Sequence, residues 1–199
     1  MLDVLRQAGY RPVPSLAPEV VAPGPSTQDG LRLTARDDDA SERTLQLVEA
    51  MIFEGLGAYD GDDLAVMEME EYWHEDFMWY GPAGIGTTHG IDGVQEFHQG
   101  PWLEAFPDRG TGGEAVRLAD GDYCAWTAWP SGETTHLGDG LFGLPATGET
   151  VTFRVIDFWR REGDLLAENG VFIDMIDLLG QLGVDVFERV AEHPESVRR

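Results

Sequence analysis

The chain has 199 residues, 42% of them hydrophobic, which suits one domain with a normal core, or one domain plus an appendage. Its 37 acidic residues outweigh 13 basic ones, for a net charge of −24. That charge argues against nucleic acid and anionic membrane surfaces as partners, because their phosphates would be repelled. Cys124 is the single cysteine. No disulfide framework within the chain and no cysteine-based zinc site can be built from it. In the apolar run DYCAWTAW it reads as inert core packing. No stretch is long and apolar enough to span a bilayer. The opening MLDVLRQAGYRP lacks the basic region and long apolar run of a signal peptide, so a cytoplasmic location is expected.

Residues 1–40 divide from the rest. The span 11–40 is rich in Pro, Gly, Ser and Asp and reads as an extended or partly ordered arm, either a disordered leader or a wrap around a partner subunit. Residues 41–199 form the expected folded domain. Asp39 to Ser41 are good N-cap residues for a first helix. Leu45, Val48, Met51, Ile52 and Leu56 then share one face at helical spacing. The acidic loop YDGDD ends it, and a second helix is expected from Asp62 or Asp63 through LAVMEMEEYWH. The strand DFMWY follows, then a Gly/Pro loop, then a helix GVQEFHQGPWLEAF capped by Asp92 and stopped at Pro107. Strands take over from RLADGDYCAWTAW, with a turn at Asp120–Asp122. VTFRVIDFWRREGDLLAENGVFID reads as a β-hairpin turning at REGD. The last element, MIDLLGQLGVDVFERVAEH, is an amphipathic helix with a glycine interruption. Helices first, then a curled sheet, then a helix: the class is α+β.

The stretch YWHEDFMWYGPAGIGTTHG (72–90) raises the question of chemistry. A dinucleotide fingerprint needs G-x-G-x-x-G opening a helix directly after a strand. Here the third glycine is one residue late, and the expected helix starts at Asp92, a carboxylate where phosphate would sit. His89, Asp92 and His98 could be gathered by the loop and the next helix. No H-x-x-x-H or H-E-x-x-H spacing supports a metal, and neither a metal nor another cofactor is expected. What remains is an aromatic strand with Phe77 and Trp79 on one side and Met78 and Tyr80 on the other. Such a strand can wall a pocket or simply fill a core.

The run H-x-D-F-x-W-Y-G-P-A-G-I-G-T-x-x-G-I-D-G (His74 to Gly93) resembles the SnoaL-like polyketide cyclase family. So do GLPATGE (143–149), VIDFWRREGDLLAEN and LLGQLGV (178–184). These belong to the wider nuclear transport factor 2-like, ketosteroid-isomerase-like superfamily. The resemblance covers roughly residues 42–190 and implies a cone: a strongly bent mixed sheet wrapped around helices, enclosing a deep apolar cavity. It implies a small apolar cyclic or carbonyl compound as ligand, homodimers or higher homo-oligomers, and carbon acid–base chemistry in some members with binding alone in others.

The chemistry needs a group that takes a proton from carbon next to a carbonyl; an Asp or His in a dry pocket can do so. In the cyclases an acid–base Asp lies on the last strand; the matching stretch AENGVFID has Val171 there, preceded by Gly170. In the isomerases the base directly precedes the loop Pro; here that residue is Gly81. Where the cyclases place a His on the penultimate strand, this chain has Asp157. Alternation along VTFRVIDFW puts Val151, Phe153, Val155, Asp157 and Trp159 on one face, so Asp157 is a carboxylate in an apolar row. It is either functional or paired with Arg154, Arg160 or a histidine. His136 and His98 are the candidate helpers, and Asn169, across the hairpin, is placed to orient Asp157. Trp79, Tyr80, Trp126, Trp129, Trp159 and Val171 are the expected pocket wall. Two functions stay open: a cofactor-independent lyase or isomerase using Asp157, and a non-catalytic binding or oligomerisation domain.

Overall fold

The computed structural model describes residues 38–109 and 116–192. The arm expected over residues 1–40 therefore lies outside the described residues, except that its last three already belong to helix α1 (Asp38–Ala50). Ala40, Ser41, Thr44 and Val48 turn one face of α1 inward. The Thr44 hydroxyl donates to the Gly121 carbonyl at 2.7 Å, and the Gly121 N–H donates to Ser41 Oγ at 2.8 Å. These two bonds fasten α1 to a turn of the sheet where Gly121 has φ +60°. The helix continues into a π turn, Met51–Gly55.

The second expected helix does not form. Two 3-10 turns, Leu64–Met67 and Met69–Glu71, are separated by Glu68 at φ +45°. Met67 and Met69 are both buried. Two residues apart on one α-helix, they would point to nearly opposite sides. Breaking the chain at Glu68 lets both reach the core.

Strand β1 (Trp73–Tyr80) and the short β2 (Thr87–His89) form a hairpin. Helix α2 (Gly90–Val94) begins two residues before Asp92, with His89 at its N-cap. A π turn, Gln95–Gln99, joins it to α3 (Gly100–Ala105). Strands β3 (Val116–Asp120), β4 (Tyr123–Thr135), β5 (Thr150–Glu162) and β6 (Leu165–Ile173) complete one six-stranded sheet in the order β2-β1-β6-β5-β4-β3. All pairs are antiparallel except β1 with β6. The final amphipathic segment is two helices, α4 (Met175–Gln181) and α5 (Val186–Glu192), parted near Gly183 at φ +82°. Asp174 caps α4 by accepting from the Asp177 N–H at 3.1 Å. The sheet curls around its own concave face, and α1, α2, α3 and the 3-10 turns close the cone over a core that includes Phe77, Phe106, Met51 and Leu166.

Candidate functional site

A cavity of about 220 Å³ opens within that core. Five tryptophans line it: Trp73 and Trp79 from β1, Trp102 from α3, Trp126 from β4 and Trp159 from β5. Met51, Ile52, His98 and Gln99 also line it, and all four come from the two π turns. A π turn adds one residue to a helical turn and rotates the residues after it, a feature often found at functional sites. Phe153, Val155, Asp157, Asn169 and Val171 supply the sheet side.

Asp157 stands where period-2 alternation puts it, between Val155 and Trp159 on the concave face. None of the expected cations neutralises it. Arg154 pairs with Asp177 at 2.8 Å, and Arg160 pairs with Glu168 at 2.5 Å and Glu162 at 2.9 Å. Its hydrogen-bond partner is Asn169, whose Nδ2 donates at 3.3 Å. The same Nδ2 donates to the Phe158 carbonyl at 3.2 Å, which fixes the amide with its N–H₂ toward the carboxylate. Burial disfavours the charged form and pushes the Asp157 carboxyl up to about 7, despite the Asn169 bond and the positive charge of Arg109. A carboxyl poised there can both take and return a proton near neutral pH.

His98 stacks on Trp79 with ring centroids 4.2 Å apart and planes at 19°. Burial, and secondarily the charge of Arg109, lowers its pKa to about 3. The imidazole is therefore neutral at physiological pH, and its Nδ1 is buried without a protein partner. Trp73 Nε1, Trp159 Nε1 and Gln99 Oε1 are likewise buried and unpartnered. Four residues of the wall thus offer unused polar atoms in an otherwise apolar site, and buried polar atoms normally find partners.

The residue that sequence reasoning missed is Arg109. It lines the cavity from the loop after α3. Its backbone N–H bonds to Phe106 O at 3.3 Å. The neighbouring Asp108 carboxylate accepts from the Thr134 hydroxyl at 2.5 Å and the Thr135 N–H at 2.8 Å. These bonds pin the loop to β4 beside the cavity. Burial pulls the Arg109 pKa below its usual range, opposed mainly by Asp157.

Three expected site residues lie elsewhere. Tyr80 is on the opposite face of β1 from Trp79, and its hydroxyl donates to Glu168 at 2.9 Å. Trp129 is 66% exposed with the Arg154 guanidinium 5.1 Å over its ring. His136 is fully buried beyond the end of β4, against Phe106, and its Nδ1 accepts from the Thr147 N–H at 3.3 Å. Burial lowers its pKa too. None of the three reaches the cavity. Trp79, Trp126, Trp159, Asn169, Val171, Asp157 and His98 all do.

The glycine loop makes its hydrogen bonds with itself: Gly81 N–H to Gly86 O at 3.1 Å and Gly86 N–H to Pro82 O at 3.0 Å. Those donors cannot also cradle a phosphate. A Cβ at Gly81 would lie 2.0 Å from the Trp79 indole, so no side chain fits there without displacing the ring. Among the described residues no group of three His, Cys, Asp or Glu side chains is gathered that could hold a metal. Burial pushes the Cys124 thiol up to about 12, away from nucleophilic use.

The fold has counterparts among known proteins. The SnoaL-like domain family matches residues 48–169. A candidate SnoaL-like polyketide cyclase from Jannaschia sp. CCS1 superposes with a TM-score of 0.59 at 18% identity, covering 76% of this chain and 98% of that one. AclR, a candidate hydroxylase from Streptomyces galilaeus, gives 0.55 at 23% identity, covering 72% and 86%. IdmH, a candidate polyketide cyclase from Streptomyces antibioticus, gives 0.51 at 21% identity, covering 73% and 99%. At these identities the superpositions speak for the fold. No curated protein matches the chain. The family match spans more than half of the sequence, and the chain belongs to the SnoaL-like domain family.

Proposed function

We propose that the chain binds a small, largely apolar cyclic or carbonyl-bearing molecule in the cavity and performs cofactor-independent acid–base chemistry on it, with Asp157 as general base. The observation that carries this reading is a carboxylate without an ion-pair partner among the described residues, held by Asn169 inside a tryptophan-lined cavity. In the step it supports, Asp157 removes a proton from carbon next to a carbonyl. The C–H electron pair moves into the carbonyl to give an enolate. The enolate carbon then attacks a second carbonyl, closing a ring, or is reprotonated elsewhere, isomerising the substrate. Neutral His98, without a charge of its own, is the helper on the opposite wall.

The test is α-deuterium exchange of 2-tetralone in D₂O, followed by NMR. Wild type is expected to accelerate exchange, and Asp157→Asn to lose that acceleration by about 10²-fold or more. Equal exchange in both proteins sinks the catalytic reading. The second reading, binding without catalysis, is favoured by Val171 and Gly81 at the family's base positions. It predicts 2-tetralone binding with no exchange in either protein.

Homo-oligomer formation belongs to the same proposal. Leu118, Phe158 and Phe172 are exposed on the convex sheet face, with the two phenylalanine rings 6.1 Å apart. Phe158→Glu is expected to shift sedimentation toward the monomer. No helix among the described residues is long and apolar enough to cross a membrane. A cytoplasmic setting suits the free, buried Cys124.

A further inference from the structure

We propose that Arg109 is the ligand-selecting group of the cavity, and that the ligand is a ring compound carrying an ionised oxygen, either a carboxylate or the conjugate base of an acidic enol or phenol. The inference rests on the ligand-binding reading above and deepens it. A protein of net charge −24 has placed one of its 13 cationic side chains in an aromatic cavity. Among the described residues no carboxylate lies within ion-pair distance of its guanidinium, whereas Arg117, Arg154, Arg160 and Arg161 all have one. The charges that act on it from nearby belong to Asp157 and Tyr59. Burial pushes the Asp157 carboxyl toward its neutral form, and it makes no ion pair with the guanidinium, so it does not fully offset that charge.

Burying a cation in apolar surroundings is costly unless a partner answers it. A bound anion of the right shape is such a partner, and a planar guanidinium matches a carboxylate or a vicinal enolate with two parallel N–H donors. Two of the unsatisfied wall atoms fit the same ligand. Trp73 Nε1 and Trp159 Nε1 are donors, and five indoles offer flat faces to an aromatic or polyene ring. His98 stays neutral and adds no competing charge. The loop that carries Arg109 is held to β4 through Asp108, so the guanidinium is presented from a fixed backbone.

The experiment compares 2-naphthoate with its neutral isostere 2-naphthamide, read by quenching of the cavity tryptophans and by calorimetry. Wild type is expected to bind naphthoate at least tenfold more tightly than the amide. Arg109→Gln is expected to abolish that preference while amide binding persists, and Arg109→Lys to keep part of it. Asp157→Asn is expected to tighten naphthoate several-fold, because the competing carboxyl is gone. Amide binding without any preference for naphthoate, or a preference that survives in Arg109→Gln, overturns this inference and leaves the ligand-binding reading standing. Failure of both probes to bind overturns both.

Discussion

Asp157 on β5 and Val171 on β6 are direct partners in the antiparallel ladder, and both side chains face the cavity. Paired Cα atoms in such a ladder lie about 4.5–5.5 Å apart. The carboxylate of this chain therefore sits one strand away from Val171, where the family resemblance would put the cyclase base. Moving it back is a direct test of relocation. The double variant Asp157→Asn/Val171→Asp is expected to recover a measurable part of the 2-tetralone exchange that Asp157→Asn loses. Val171→Asp alone puts two carboxyls side by side and is expected to cost about 2 kcal/mol or more in urea unfolding.

The raised pKa of Asp157 sets a stability window. Between its ordinary value of 3.8 and about 7 the folded state holds a proton that the unfolded state has released. Stability from this group is thus full below 3.8, falls as pH rises through the window, and is flat above it. Asp157→Asn is expected to be more stable than wild type at pH 8 by about 1–2 kcal/mol, discounted from ~1.4 kcal/mol per unit because the carboxyl is only half-buried. At pH 3.5 the two should unfold alike. A wild type that matches or exceeds the variant at pH 8 would contradict the burial argument.

Asn169 holds the ionised form of Asp157 by donating to it, which lowers the pKa against the effect of burial. Removing it in Asn169→Ala should move the Asp157 midpoint upward. Either ¹³C NMR of labelled aspartate or the pH profile of exchange reports the midpoint. A midpoint that falls or stays in place would mean that the 3.3 Å contact does not act on the carboxylate.

His98 works in the opposite sense. Its folded pKa is about 3 against 6.5 when unfolded, so its contribution is present above 6.5 and is lost as pH falls toward 3. The two trends oppose each other between about pH 4 and 6.5. Asp157→Asn should therefore unmask a loss of stability on acidification, and adding His98→Gln should remove that slope. The His98 substitution also gives up its stacking on Trp79, worth about 1 kcal/mol at any pH.

Gly81 tests the geometry of the wall itself. A methyl group there would meet the Trp79 ring at 2.0 Å and the Gly86 carbonyl at 2.6 Å. Gly81→Ala is expected to destabilise the fold by about 1–3 kcal/mol and to shift tryptophan emission as Trp79 is displaced. Unchanged stability and emission would show that the loop yields freely.

Much of the site comes from short-range rules. Alternation along β5 put Asp157 among Phe153, Val155 and Trp159, and hairpin pairing put Asn169 beside it, because a strand's side chains switch face at every residue. The same rule placed Trp79 and Tyr80 on opposite faces, so they could not both wall one cavity; the curl of the sheet chose Trp79. Trp126 and Trp129 differ in the same way, and Trp129 lies within the β4 irregularity between Ala128 and Gly132, exposed to solvent. His136 lies past the strand end, where alternation says nothing.

By itself the sequence determined the main run of elements, the α+β class, the family, and the apolar row that contains Asp157. These depend on residue periodicity and turn chemistry, which act over a few positions. Only the tertiary structure decided that the cavity side of the sheet is the one with Trp79, that Glu68 breaks the second helix, and that Arg109 shares a cavity with Asp157. That last meeting joins a loop after α3 to the middle of β5, 48 residues apart in the chain (157 − 109). Nothing local encodes it. It arises because Asp108 is tied to β4 while β4 pairs with β5, so two separate sets of hydrogen bonds must close before the guanidinium and the carboxyl face the same space.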